Sequence, residues 1–252
     1  MSPVEDQKAY REFLARRRAE IEARIAAACE RVGRDASDVQ VFAVSKTVGP
    51  EEVVSAMDAG YTCFAENRPQ ELVRKIGALE EAGVDVPRFD MIGNLQKNKV
   101  NAVLGRATVI QSVSSVHLAE AVSRRAAERG IVARVLLEVN VSGEETKSGF
   151  APAELAQWAE HIADLPGIEP EGLMTMAPAH EPVEDRETFK GLRELRDSLE
   201  TETGLVLPVL SCGMSDDFEI AVEEGSTLVR LGRVVFDPDY TPVAGEPAGK
   251  RD

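Results

Sequence analysis

The stretch Val39-Gln-Val-Phe-Ala-Val-Ser-Lys46-Thr-Val-Gly-Pro50-Glu-Glu-Val-Val-Ser-Ala-Met-Asp-Ala-Gly60-Tyr-Thr-Cys-Phe-Ala65 reads as one complete strand–helix–strand unit. An apolar, valine-rich run ends at Lys46, and Gly49 and Pro50 stop it as a strand. Proline at the start and glycine at the end then bracket a helix over 50–59. Residues 61–65 return to a strand pattern. A helix between two strands makes them parallel neighbours joined by a right-handed crossover.

The same alternation runs along the rest of the chain. Strand patterns fall at 39–45, 61–65, 88–92, 108–111, 133–140, 171–176, 207–211 and 227–231. Helical patterns lie between them at 50–59, 69–81, 115–129, 153–163, 184–201 and 216–224. Several open at a cap or proline and close at glycine: Pro50 to Gly60, Ser115 to Gly130, Asp216 to Gly225. Before the first strand, charge alternates with Ala, Leu and Ile at helical spacing up to Gly33. The prediction is an α/β fold, a single (β/α)8 TIM barrel with an extra N-terminal helix. The rival is an open doubly wound sheet, which no early Gly-x-Gly-x-x-Gly supports. One domain is expected over 1–236, with the proline- and glycine-rich residues 237–252 as a flexible tail.

A net charge of −15 argues against nucleic acid, whose phosphates most of this surface would repel. Cys29, Cys63 and Cys212 are too few and scattered for a disulfide frame or zinc site, and His117, His161 and His180 lack metal spacing. No basic-then-apolar leader and no membrane-spanning apolar run is present, so a soluble cytoplasmic protein is expected. On that expectation the sequon at Asn140-Val-Ser142 is a chance match, and Arg16-Arg17-Arg18 a solvated helix face.

In such a barrel the site lies in the loops after the strands' C-terminal ends. The first strand brings Lys46 there, where partial loss of hydration can turn an amine into a Schiff-base nucleophile. Taken alone, the segment reads as a surface lysine ending an ordinary strand. The loops after strands seven and eight, Ser211-Cys-Gly-Met-Ser-Asp-Asp217 and Arg230-Leu-Gly-Arg233, lie where this fold commonly builds a phosphate cradle. Ser211 and Ser215 offer hydroxyls there, Gly232 a close backbone approach and Arg233 a charged fork. Individually these residues suit turn geometry and helix capping as well. Asp216 and Asp217 are read as helix N-terminal charges facing away from the anion. Arg230, inside strand eight, is placed to meet a ring nitrogen, and Asn67 to stand near the ring as a neutral hydrogen-bonder. A ligand with an aldehyde, a ring nitrogen and a phosphate satisfies the set: pyridoxal 5′-phosphate (PLP). Met174 and Met176 suit packing under the ring, or core filling.

Together the motifs resemble the pyridoxal phosphate homeostasis (YggS/PROSC-like) family. They are Ala43-Val-Ser-Lys46, Phe64-Ala-Glu-Asn67, Ile92-Gly-Asn-Leu-Gln-Lys-Asn-Lys99, Glu138-Val-Asn-Val-Ser142, Thr146-Lys-Ser-Gly149, Gly172-Leu-Met174, Ser211–Asp217 and Gly225-Ser-Thr-Leu-Val-Arg-Leu-Gly232. The resemblance implies that Lys46 carries PLP as an internal aldimine. It also implies the phosphate near Ser211, Ser215 and Gly232, Arg230 opposite the pyridine nitrogen, and a barrel like the alanine racemase N-terminal domain. Four positions depart from the family pattern the resemblance implies: Ala65 for its usual Gly, Asp90 near the strand-three position of its usual His, Cys212 for Met and Arg233 for Thr. The reading is a PLP carrier that hands the cofactor to PLP-dependent apoenzymes. One alternative is a single-domain racemase or lyase with Cys212 or water as second acid. Another is a cofactor-free aldolase with Glu66 as acid or base. Tyr10, Tyr61 and Tyr240 are all expected away from the barrel mouth, which disfavours the racemase.

Overall fold

The computed structural model describes residues 3–144, 146–178 and 182–241. Eight parallel strands close in chain order: β1 (Gln40–Val44), β2 (Cys63–Glu66), β3 (Arg88–Met91), β4 (Val109–Val113), β5 (Ala133–Glu138), β6 (Ile168–Met174), β7 (Val209–Ser211) and β8 (Leu228–Leu231). β8 closes onto β1 through pairs running from Gln40 with Leu228 to Ala43 with Leu231. Around them lie α2 (Pro50–Asp58), α3 (Pro69–Glu81), α4 (Val100–Val103), α5 (Val116–Glu128), α6 (Pro152–Ala163), α7 (Pro182–Thr203), α8 (Phe218–Glu223) and α9 (Arg233–Phe236). The expected N-terminal helix is α1 (Pro3–Val32).

Successive strand residues face opposite ways, which gives two apolar layers. Ala43, Phe64, Phe89, Leu137, Leu173, Leu210 and Val229 pack outward against the helices. Phe42, Val44, Ala65 and Leu228 fill one part of the barrel interior, and Val109, Leu136 and Met174 another. β6 starts three residues before the expected Glu171. Pro170 discourages a strand reading, yet it sits where the β5–β6 register shifts, a place that tolerates a missing N–H. β4 likewise continues past Gln111 to Val113 through an irregularity in its pairing with β5.

α1 buries Leu14, Ile21, Ile25, Ala28 and Cys29 against the barrel. Arg24 and Arg31 pair with Glu219 (2.7 Å) and Glu223 (2.6 Å) of α8. Arg17 departs from the solvated-face expectation: its guanidinium donates to the Tyr240 carbonyl at 2.9 Å, and its side chain is only 14% exposed. Tyr240 is itself buried, so the chain stays packed beyond Asp237, where a flexible tail was expected to begin. Residues 242–252 lie outside the described residues. Among the described residues no helix is long and apolar enough to cross a membrane, and no three His, Cys, Asp or Glu side chains cluster as metal ligands.

Candidate functional site

The barrel interior changes from apolar to polar between strands β3, β4, β7 and β8. Asp90, Gln111 and Ser211 are fully buried and Arg230 is 4% exposed. Arg88 holds Asp90 from below, with Nε 3.1 Å from Oδ1 and Nη2 3.0 Å from Oδ2. Gln111 Nε2 donates to Asp90 Oδ2 (2.7 Å), and Ser211 Oγ donates to Gln111 Oε1 (2.7 Å). Arg230 Nη1 then donates to Ser211 Oγ (2.6 Å), and Nη2 to the Thr175 carbonyl (2.9 Å).

Arg230 therefore sits in the interior with two neutral hydrogen-bond acceptors. Among the described residues no carboxylate lies within ion-pair distance of it. Burial lowers the pKa of its guanidinium, while Cys212, Asp217 and Glu138 pull it upward from further off. A buried cation without a direct counter-ion is costly to fold around, a signature of functional rather than structural placement. Glu138 is buried at the end of β5 with Ser148 Oγ donating to it at 2.7 Å, and burial raises its carboxyl pKa. Asp90 is shifted upward by the same cause, opposed by Arg88.

At the mouth, Gly213 has φ +98°, and a Cβ there would come within 2.7 Å of Ala221 Cβ. Glycine lets the loop after β7 turn tightly over α8. That loop is stitched to the one after β8, because the Val234 N–H donates to Ser215 Oγ at 3.2 Å. The backbone N–H groups of Ser215, Asp216 and Gly232 make no hydrogen bond among the described residues. Ser215 Oγ is only an acceptor in its contact with Val234, so its proton is available to an anion. Three free N–H groups and one free hydroxyl on two joined loops fit a phosphate.

The Ser211 hydroxyl, expected at the phosphate, is engaged inside the barrel instead: its proton goes to Gln111 and it accepts from Arg230. The Arg233 guanidinium also turns elsewhere. It pairs with Asp216, lies over the Tyr240 ring (5.6 Å to the centroid), and its side chain is 60% exposed. The two aspartates have partners of their own: Asp216 takes Arg233, and buried Asp217 accepts the Met214 N–H. The Tyr240 hydroxyl lies 2.7 Å from the Ser215 carbonyl and 2.9 Å from Asp216 Oδ1, so one tyrosine reaches the rim after all.

Lys46 follows Phe42 and Val44 on the inward-facing alternation and lies exposed in the turn after β1. Among the described residues it has no carboxylate partner. Gly232 packs beside Val44 at the end of β1, with Val44 O 3.5 Å from the position of an added Cβ. Asn67 is half-buried after β2. Gly93, after β3, touches its backbone so closely that an added Cβ would lie 2.0 Å from Asn67 O. Met174 is core filler, and Met176 is exposed.

Two side chains of the alternative readings face away from the mouth. Glu66 lies in the outer layer, where it accepts from Ser45 Oγ (2.7 Å) and pairs with Lys75. Cys212 is buried among the outward-packed residues, and desolvation pushes its thiol up to about 12. The sequence reading gave no role to Lys75, Gln111, Glu138 or Thr175. A lone Gln in a strand or Lys in a helix carries no motif, and only the closed barrel reveals its partners. A cavity of about 240 Å³ bounded by Arg18, Ile21 and Tyr61 lies at the opposite, N-terminal end of the strands.

Residues 17–238 match the family model described as alanine racemase, N-terminal domain. A pyridoxal phosphate homeostasis protein of Aquifex aeolicus is 44% identical over 214 residues, 84% of this chain and 92% of that protein. Its Escherichia coli counterpart is 34% identical over 230 residues, 90% of this chain and 98% of that protein. The solved structure of PipY from Synechococcus elongatus with PLP bound is 30% identical with a TM-score of 0.77, covering 88% of this chain and 99% of that one. Alanine racemase of Clostridium difficile, 18% identical with a TM-score of 0.66 over 84% of this chain and 54% of its own, shares the fold. The chain belongs to the family of pyridoxal phosphate homeostasis proteins, built on the alanine racemase N-terminal domain.

Proposed function

We propose that this protein binds pyridoxal 5′-phosphate through a Schiff base on Lys46 and hands the cofactor on to PLP-dependent apoenzymes in the cytoplasm. The observation that carries the reading is buried Arg230, held by neutral acceptors beneath a mouth that pairs a free amine with an anion cradle. Membership of the family and the PLP-bound PipY structure support it independently. The cofactor, when bound, supplies an electron-withdrawing ring and an aldehyde that condenses with an amine.

Each residue has a part derived from its placement. The Lys46 amine, free of any carboxylate partner, is the condensing group. Arg230 faces the ring nitrogen and, being a cation, disfavours its protonation. That weakens the ring as an electron sink and suits holding over turnover. Asn67 contributes a neutral contact beside the ring. The Ser215 hydroxyl and the N–H groups of Ser215, Asp216 and Gly232 take the phosphate. Ser211 serves by holding Arg230, and Arg233 stays with Asp216. Cys212, the second-acid candidate of a racemase, is turned outward, so the carrier reading is preferred.

Transfer is the test. Loaded protein mixed with an apo PLP enzyme should restore that enzyme's activity while a PLP-scavenging phosphatase is present. Restoration that disappears with the scavenger would mean release into solution and not hand-over.

A further inference from the structure

Asp90 begins the hydrogen-bond chain that ends on Arg230. We propose that Asp90 and Gln111 are positioning residues that set the direction of this chain and thereby hold Arg230 in one orientation. An ionised carboxylate accepts only, so Gln111 must turn its NH2 toward Asp90 Oδ2, 2.7 Å away. That leaves the amide oxygen toward Ser211, whose hydroxyl, 2.7 Å off, must donate to it. Ser211 then has only lone pairs to offer Arg230 Nη1 at 2.6 Å. With Nη1 fixed there and Nη2 fixed on the Thr175 carbonyl at 2.9 Å, the guanidinium plane has one setting. Its Nε–H has no hydrogen bond among the described residues and remains a donor for a ligand, together with the second N–H of each terminal nitrogen.

Arg88 is what allows an aspartate at this depth. It approaches both carboxylate oxygens, and its guanidinium lies over the Phe42 ring, 4.8 Å from the centroid. Replacing Asp90 by an apolar residue removes the reference for every polarity above it. Gln111 is then free to flip, and the Ser211 proton is free to turn.

The first test needs no cofactor. In the apoprotein, ¹⁵N resonances of the Arg230 guanidinium should be separate and slowly exchanging. In Asp90→Leu and Gln111→Asn they should merge. In Asp90→Asn they should stay separate, because the asparagine oxygen still accepts from Gln111. The second test rests on the PLP reading: Gln111→Asn should weaken PLP binding roughly two- to twelvefold, as expected for one hydrogen bond. It should also shift the bound absorption band, with Asp90→Asn close to the unaltered protein. Thermal melting verifies folding, and Gln111→Asn decides the matter if Asp90→Leu does not fold. Unchanged Arg230 resonances in a folded Gln111→Asn protein would overturn the inference. Altered resonances in a chain that takes up no PLP would overturn the cofactor reading and leave this inference standing.

Discussion

Two serines four positions apart divide the labour at the end of β7, and only the folded barrel distinguishes them. Ser215 retains a free proton at the cradle, whereas Ser211 has spent its own on Gln111. Ser215→Ala should weaken PLP binding by about 1.5–3 kcal/mol, the range for hydrogen bonds to charged groups, and spare phosphate-free pyridoxal. Ser211→Ala should weaken both ligands alike, since it acts through Arg230. Titrations of each variant with each ligand separate the two roles. An equal loss of PLP and pyridoxal in Ser215→Ala would remove that serine from the phosphate site. Glu138 provides a pH prediction. Burial raises its pKa, so the folded state favours its protonated form, and the associated stability is full below the unfolded carboxylate range. That stability is lost as pH rises through the raised folded value. Glu138→Gln keeps an acceptor for Ser148 and removes the titration. Its stability relative to the unaltered protein should therefore rise between pH 4 and neutrality, measured by urea unfolding. A pH-independent difference would mean that Glu138 ionises as freely folded as unfolded.

At the scale of elements, β2 and α3 are joined by a buried ion pair, Glu66 with Lys75, both fully buried. Lys75 also donates to the Ser45 carbonyl at 2.5 Å, tying down the residue before Lys46. Lys75→Met alone should cost about 3–5 kcal/mol, because it strands the Glu66 charge, whereas the double change with Glu66→Leu should cost far less. Equilibrium unfolding of the three variants checks this, and equal losses in single and double variants would contradict it. This pair also marks how far the sequence could be read. Strand–helix alternation fixed the barrel and the order of its elements, because burial on one face imposes a period on the residues. β6 was cut short because proline masks a strand at a bulge, and α4 and α9 are too short for any period to develop. The placement of Lys46, Asn67, Ser215 and Gly232 just beyond the C-terminal ends of their strands, and of Arg230 inside β8, is legible from the strand pattern. The pairing of Arg233 with Asp216 carries no local signal, because it depends on how two loops fold toward each other.

The whole molecule is strongly acidic, and an anionic ligand approaches against its net charge of −15. Among the described lysines, Lys8, Lys75, Lys147 and Lys190 each pair with a carboxylate. Lys46, Lys97 and Lys99 pair with none; Lys46 lies in the turn after β1, and Lys97 and Lys99 in a short 3-10 turn after β3, at the mouth. Such a rim raises the local concentration of an anion at an otherwise repelling surface. Reversing Lys97 and Lys99 to Glu should slow PLP association about tenfold or more at low salt. The effect should shrink at high salt and be absent for pyridoxal, as stopped-flow absorbance would show. Equal slowing of both ligands would mean a change in loop shape instead.

The central claim is a covalent bond between PLP and Lys46, and borohydride trapping followed by peptide mass mapping tests it most directly. Loaded protein reduced with borohydride should carry one pyridoxyl group on the peptide containing Lys46, and Lys46→Ala should carry none while melting as a folded barrel. A trapped group on Lys97, Lys99 or Lys147, formed as readily in Lys46→Ala as in the unaltered chain, would contradict the account.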